Sequence, residues 1–507
     1  MGIRLTGRLN STPGVADDVA TWSDPLAQAL AQLPQERLRA LRSWQPHTDG
    51  GLQAAGPDAA TSPAPLQDLA SNDYLGLACH PALQQAATAA MAREGVGAGA
   101  SRLVSGSRPV HTQLEEALAA WLGRERVLLF PSGFQANLAA VQALADRHTL
   151  VLADRLIHHS LLVGVQASGA RLQRFAHNDL SDLERRLNMA RRDSPSRRLL
   201  VISESLFSME GTSPDVGALA SLAERHGAAL LLDEAHGAHL GLDPRLPPAG
   251  LACGADLVVQ SLQKAAGGLA QSAALLQSFG SDPARTAAIE RALLWLQTSS
   301  PSALLLASAA ASLAHLHSNA GRRQLAIALD RALSVRSSLE RAGLPLLPSQ
   351  DPLRLCLHTA ALGINGLEAD AWLMQRGVIA ELPEPGCLTF CLGLAPPRRL
   401  AWLLPRRLKQ LRSALGGPPL AAFSAPPLPP LAEPELSLAQ AWRAPSRQLP
   451  LAEAAGNLAA EPLCPYPPGI PLLIPGERID GPRAEWLQQQ HRLWPGQIAD
   501  TVSVVAE

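Results

Sequence analysis

Between residues 127 and 260 one pattern recurs: a short aliphatic run, a polar residue where it stops, then a stretch with helical spacing. The runs are 127–130 (VLLF), 149–153 (TLVLA), 198–203 (RLLVIS), 229–232 (ALLL) and 256–260 (DLVVQ). Apolar runs without alternation suit strands buried on both faces. The stretches between them, such as 112–122 (TQLEEALAAWL), 135–146 and 215–226 (DVGALASLAERH), carry helix periodicity. Strand, helix and strand in repetition predict an α/β fold, a mainly parallel, doubly wound sheet covered by helices. Such sheets bind ligands beyond the carboxyl ends of their strands, so the polar residues that follow each run are the first candidates for a site.

After about residue 325 the pattern changes to one long helix, 323–342, and short strands near 353–358, 378–382 and 387–393, which predict a smaller α+β domain. Residues 416–436 are rich in proline and read as a linker before a compact tail at 450–507. The expected division is a segment at 1–66, a large domain at 67–325, a small domain at 326–415, a linker at 416–449 and a small C-terminal domain at 450–507. No internal repeat is visible. The formal net charge of -1 offers no electrostatic footprint for nucleic acid or an anionic membrane. No apolar run reaches the roughly 18–20 residues that span a bilayer, and the N-terminus lacks the apolar core of a secretory signal. Six scattered cysteines (Cys79, Cys253, Cys356, Cys387, Cys391, Cys464) lack zinc-site spacing, so no metal is expected and a reduced cytoplasm is the expected location.

Among 43 Lys and Arg residues only Lys264 and Lys409 are lysines. Arginine cannot form an imine with an aldehyde and lysine can. A lysine kept in an arginine-rich chain therefore draws attention where arginine cannot serve. Lys409, in PRRLKQL, is one more charge on a basic helix. Lys264, in VVQSLQKAAGG, follows a buried strand and precedes small residues.

An imine-forming lysine suggests pyridoxal 5′-phosphate (PLP). That cofactor also needs an acid at its pyridine nitrogen, donors for its phosphate and a flat group on its ring. Each has a candidate. Asp233 closes the strand in ALLLDEAHG, where the bland alternative is a helix cap. Ser132 and Gly133, in FPSGFQAN, lie where a strand meets a helix N-terminus suited to phosphate. His158, in DRLIHHSLL, is placed to lie over the ring, with His159 as a competitor. Ser261 and the Thr298-Ser299-Ser300 cluster offer further hydroxyls, and a polar turn before Pro301 is the bland reading of the latter.

At these residues the chain resembles two families. Residues 68 to 240 are similar to the 8-amino-7-oxononanoate synthases, which belong to the α-oxoamine synthases. The matching stretches are LASNDYLGL, GVGAGASRLVSGSRPVHTQLEEALAAWLG, LLFPSGFQAN, LADRLIHHSLL, RFAHND and SESLFSMEGTSPD. The resemblance implies that Asn72, Ser132, Gly133, Phe134, His158, Glu204, Ser208, Asp233 and His236 line the cofactor and substrate pocket. It also implies that His158 stacks on the ring, that His236 bonds the 3′-oxygen, and that the fold is that of the aspartate aminotransferase type. From about 233 onward the chain resembles the ornithine/lysine/arginine decarboxylases, in DEAHGAHLGLDPRLPPAGLACGADLVVQSLQK, WLQTSSPSALLLAS, DPLRLCLHTAALGINGLEADAWL and PLAEAAGNLAAEPLCPYPPGIPLLIPGE. Both families imply a homodimer in which Thr298 and Ser299 reach the neighbouring subunit's phosphate.

Departures separate the reactions. The synthases resemble one another in a Thr-Phe-Gly-Lys stretch, where this chain has Ser261-Leu262-Gln263-Lys264. They grip the amino-acid carboxylate with a small-domain arginine, and here Ala380-Glu381-Leu382-Pro383 stands at that place. Glu381 would repel a carboxylate and attract a basic side chain. The leading expectation is therefore decarboxylation of Lys, Arg or ornithine. The alternative is a synthase reaction joining L-alanine to a pimeloyl thioester with loss of carbon dioxide. A third reading is a catalytically idle PLP-binding recombinant joined at DEAHG.

Overall fold

The computed structural model describes residues 43–46, 51–54, 66–73, 76–122, 126–208, 211–264, 267–269, 271–277, 287, 289–291, 295–381, 383–393, 397–421, 434–463, 473–493 and 498–506. Most of the segment expected at 1–66, part of the proline-rich linker and residues 464–472 of the tail motif lie outside them.

The chain begins with an antiparallel ribbon of β1 (Trp44–Pro46) and β2 (Leu52–Ala54), followed by β3 (Gln67–Leu69). Helices α1 (Pro81–Glu94) and α2 (Pro109–Leu122) lead into the main unit. There β4 (Arg126–Phe130), α3 (Gly133–Leu144), β5 (Thr149–Asp154), α4 (His159–Ser168), β6 (Arg171–Phe175), α5 (Leu180–Asp193), β7 (Arg198–Glu204), α6 (Val216–Arg225), β8 (Ala229–Asp233), β9 (Leu257–Ser261) and β10 (Ala273–Gln277) follow in turn. The seven strands form one sheet in the order β4-β10-β9-β8-β7-β5-β6. The pairs among β5 to β9 are parallel, and β10 runs antiparallel between β4 and β9. The expected α/β sheet is present.

Alternate residues of each strand enter two cores, which is why the sequence shows continuous rather than alternating apolar runs. Leu150 and Leu152 of β5, Leu230 and Leu232 of β8 and Val258 of β9 pack on one face. Val151 and Ala153, Leu231, and Leu257 and Val259 pack on the other. The join suggested at DEAHG lies inside this packing, because β7, β8 and β9 pair in register across it.

Two strands of this sheet were not expected. β6, RLQRF, lies at the sheet edge and carries two arginines that break the aliphatic signal. β10, AALLQ, is buried throughout and is the antiparallel return of a hairpin from β9.

Helix α7 (Ala303–His317) packs on α1, and α8 (Asn319–Arg341) leads into the smaller unit, which holds β11 (Leu346–Leu347), β12 (Arg354–Leu357), α9 (Gly366–Met374), β13 (Val378–Ala380), β14 (Leu388–Cys391) and α10 (Leu400–Leu415). Strands β11, β12 and β14 form an antiparallel sheet, while β13 pairs in parallel with β3, matching Ala380 to Leu69. The C-terminal part holds α11 (Leu438–Arg443), β15 (Ser446–Pro450), α12 (Gly481–Leu493) and β16 (Thr501–Val505), with β15 and β16 antiparallel. Its apolar core includes Leu473, Ile479, Leu487 and Val504, and also Leu156 and Phe207 from loops of the large sheet. Among the described residues no helix is long and apolar enough to cross a membrane.

Candidate active site

A cleft of about 240 Å³ opens at the carboxyl ends of the parallel strands. In sheet order it is lined by Ser132, Gly133 and Phe134 after β4, Ser261 and Lys264 at the end of β9, Asp233 and His236 at β8, Glu204 and Ser208 at β7, and His158 after β5. Five strand ends therefore converge on one place, as an open α/β sheet requires.

Asp233 ends β8 and is 5% exposed. Its Oδ2 accepts from Asn137 Nδ2 at 2.6 Å and its Oδ1 accepts from the Ala235 backbone N–H at 2.9 Å. The carboxylate is thus oriented by two donors. Neighbouring β7 ends in Glu204, which pairs with Asp233 in the strand register. The Glu204 Oε1 accepts from the His158 backbone N–H at 2.6 Å.

His158 is the N-cap of α4. Its Nδ1 lies 3.2 Å from the Ser160 backbone N–H, which donates to it, and 2.7 Å from Ser160 Oγ. An acceptor at Nδ1 places the ring proton on Nε2. Burial pushes the His158 pKa below its usual value, and the Lys264 charge adds to this against the opposing pull of Asp233. His236 is pushed well below its usual pKa, by burial first and then by the Lys264 charge. Lys264 Nζ stands 3.3 Å from His236 Nε2, a neutral ring that can accept from an ammonium.

Lys264 projects from the turn between β9 and β10. The backbone N–H of Lys264 bonds the Ser261 carbonyl at 3.2 Å, and Gln263 Oε1 accepts from the Ser272 N–H at 2.8 Å across the hairpin. Gly267 closes the turn at φ +64°. A Cβ there would lie 2.7 Å from Leu77 Cβ and 2.8 Å from Asp73 Oδ1. The lysine turn thus rests directly on the 73–78 turn, which Asp73 caps by accepting from Leu77 and Ala78.

Ser132 is the N-cap of α3, its hydroxyl accepting from the Gln135 N–H at 3.2 Å. The N–H groups of the first helical turn carry no helix partner and favour an anion. Gly133 leaves the room: a Cβ on it would sit 3.7 Å from Ser261 Cβ. Donors for a phosphate, an oriented carboxylate and an amine therefore share one cleft, and the residues present fit PLP.

Asn72, Glu381, Thr298 and Ser299 do not line this cleft. Asn72 and Glu381 leave the paired ends of β3 and β13. Thr298 and Ser299 are exposed and line a separate depression with Arg102, Glu115, Arg126 and Glu290. His159 opens away from the cleft, in a groove with Leu438 and Trp442. Sequence reasoning missed Asn137, Ser160 and Gln271. Asn137 is the last residue of LLFPSGFQAN and lies one helical turn after Gly133, the spacing that puts both on one face.

Fold and site together define a PLP-dependent enzyme with the aminotransferase-type fold. The chain belongs to the class I and II aminotransferase family, which matches residues 64–390. Residues 421–501 match the C-terminal domain of the Orn/Lys/Arg decarboxylases. An 8-amino-7-oxononanoate synthase of Stutzerimonas stutzeri is 37% identical over 334 residues, 65% of this chain and 82% of the relative. One from Chromohalobacter salexigens is 46% identical over 211 residues, 42% of this chain, and the match spans about half (51%) of that relative's length. Serine palmitoyltransferase of Sphingomonas wittichii superposes with a TM-score of 0.64 at 21% identity, covering 77% of this chain and 98% of its own. The 8-amino-7-oxononanoate synthase of Francisella tularensis superposes with a TM-score of 0.54 at 22% identity, covering 69% of this chain and 97% of its own.

These relatives overturn the leading expectation of a basic amino-acid decarboxylase. Likeness to synthases runs over 334 residues, far past the segment where the sequence first showed it, whereas the decarboxylase family match is to the tail at 421–501. The role imagined for Glu381, attracting a basic side chain, falls with that reading.

Proposed function

We propose that the chain is an acyltransferase of the 8-amino-7-oxononanoate synthase kind, joining L-alanine to a pimeloyl thioester with release of carbon dioxide. The observation that carries this reading is the extent of the synthase likeness, 82% of the Stutzerimonas stutzeri protein. The LASNDYLGL and GAGASRLVSG stretches, which in this reading shape the acyl-donor side, support it.

When bound, PLP supplies an electron sink for a bond broken at the amino acid's α-carbon. The residues do the rest. Lys264 Nζ would hold the cofactor and, once freed by the substrate amine, would serve as a base beside the reacting carbon. Neutral His236, 3.3 Å away, accepts a hydrogen bond from that amine and limits where it can swing. Asp233, oriented by Asn137 and Ala235, would face the ring nitrogen and favour its protonated form. His158, kept neutral by burial, would cover the ring and exclude water. The first turn of α3, with Ser132, Gly133 and Ser261, would hold the phosphate.

The expected subunit arrangement is a homodimer. Leu103 (77% exposed), Val104 (82%) and Trp295 (82%) lie close in sequence to Arg102 and Thr298, and a second copy would cover them. Thr298 and Ser299 would then meet the neighbour's phosphate. The large unit at 67–325, the small unit at 326–415 and the tail at 450–507 are the division this reading uses, and a reduced cytoplasm is its setting.

The test is product formation by PLP-loaded protein with L-alanine, lysine, arginine and ornithine, each with and without pimeloyl thioester. Carbon dioxide and a coupled amino ketone are expected from alanine plus thioester alone, and Lys264→Ala should abolish both. Turnover of another amino acid, or of alanine without thioester, would overturn the reading.

A further inference from the structure

The C-terminal part meets the large sheet through a buried ion pair. Arg174, on β6, and Glu477 are 2% and 3% exposed. They form a forked pair: Arg174 Nη2 donates to Glu477 Oε1 at 2.9 Å and Oε2 at 2.8 Å, and Nε donates to Oε1 at 3.2 Å. Glu477 Oε2 also accepts from the Ile474 N–H at 3.2 Å. Two more guanidinium groups face the same carboxylate. Burial, with Arg174 next, lowers Arg155 to about 10, and Glu477 opposes that shift. Burial likewise lowers the pKa of Arg483, which is 1% exposed, and Glu477 again opposes it. Glu477 thus joins Asp154 and Asp480 in offsetting a buried cationic cluster at the junction, and it alone of the three pairs with Arg174 among the described contacts.

The junction lies behind the cofactor cleft. Arg174 Nη1 reaches the carbonyl of Arg155 at 3.4 Å, and the Arg155 N–H bonds Phe175 at 3.0 Å. Leu156, the next residue, packs in the tail's own core, and His158 follows two residues later. On the far side Phe207, also in that core, immediately precedes Ser208. The His177 ring bridges the two loops: its Nδ1 lies 3.0 Å from Asp154 Oδ1, its Nε2 lies 3.0 Å from Thr212 Oγ1, and it meets the Phe207 ring edge-on at 4.4 Å.

We propose that Glu477 is a positioning residue of the cofactor site: through Arg174 it fixes the 155–158 turn that presents His158. Removing its charge leaves Arg174 buried without its counter-ion, so the turn must shift or admit water. The inference rests on the cleft being the cofactor site.

The test compares full-length Glu477→Gln with Val504→Ala, a truncation inside the tail's apolar core. Four readouts are taken: PLP dissociation constant, visible circular dichroism of the bound cofactor, amide exchange over 156–162, and melting temperature. Glu477→Gln should weaken PLP binding about tenfold, the scale seen for groups that orient ligands at metal sites. It should also change the visible dichroism and speed exchange in the turn. Val504→Ala should lower the melting temperature and leave the other three near wild type. If Glu477→Gln does not accumulate, Glu477→Asp replaces it, with the same direction and a smaller change. The idea is overturned if the glutamate variant behaves like Val504→Ala, with binding within about twofold of wild type. Failure of the wild-type chain to develop imine absorbance with PLP would instead refute the cleft as cofactor site, and the inference with it.

Discussion

Asn137 donates to Asp233 at 2.6 Å, and the same amide nitrogen lies 3.0 Å from Ser160 Oγ. Ser160 in turn bonds His158. The carboxylate proposed to face the ring nitrogen and the histidine proposed to cover the ring are therefore joined through one helix side chain.

That link makes Asn137 a sensitive position. Asn137→Ala removes a donor to a buried carboxylate, a loss of about 1–3 kcal/mol. Asn137→Asp places a second carboxyl beside Asp233, where two like charges cannot both ionise. The aspartate variant should bind PLP more weakly than the alanine variant at pH 8, and the gap should narrow as pH falls and the pair takes up a proton. Cofactor titration at several pH values checks both. Equal affinities at every pH would contradict it.

Histidine titration sets an acid limit. His158 and His236 are both held below their usual pKa of 6.5, chiefly by burial. In the unfolded chain they take up protons below about 6.5, whereas the folded chain resists. Their contribution is therefore complete above pH 6.5 and declines as pH falls from there towards their folded values. The apoprotein should melt at steadily lower temperature from pH 7 to pH 5, and His236→Gln should flatten that slope. An unchanged slope would show that other groups dominate.

Gly267 supports the lysine turn by having no side chain. Gly267→Ala combines a left-handed φ of +64° with contacts of 2.7 Å and 2.8 Å to Leu77 and Asp73. Strain of this kind costs about 1–3 kcal/mol, and because the turn carries Lys264 part of it should appear as a displaced amine. Imine formation with PLP should slow relative to wild type, read by stopped-flow absorbance. A normal rate with lowered stability would place the strain elsewhere.

Much of this site can be read in the chain itself. Lys264 stands out because arginine serves almost everywhere else, and Asp233 because it ends an apolar run. His158 and Gly133 follow from the same strand-end logic. Asn137 is harder to see, since a polar residue inside a helix usually faces solvent and no periodicity shows that it turns inward. β6 was hidden because Arg174 is buried against a partner 303 residues away, which no local pattern encodes. The reaction was misjudged at Glu381 for a similar reason. Its charge suggested a ligand, but it follows the strand paired with β3 and lies outside the cleft.

The place of β10 in the sheet has a consequence for how the protein is made. β4, which leads into the helix proposed to bind the phosphate, lies at the sheet edge with β10 as its neighbour. A ribosome releases β4 roughly 145 residues before β10 is complete, and until then that edge has nothing in the sheet to pair with. Long-range pairings of this kind form late and leave an open strand edge exposed in the meantime. The hairpin that docks β10 is also the one that carries Lys264. Completion of the sheet and delivery of the amine are thus a single event, so nascent chains cut short before Gln277 should depend on chaperones and hold no cofactor.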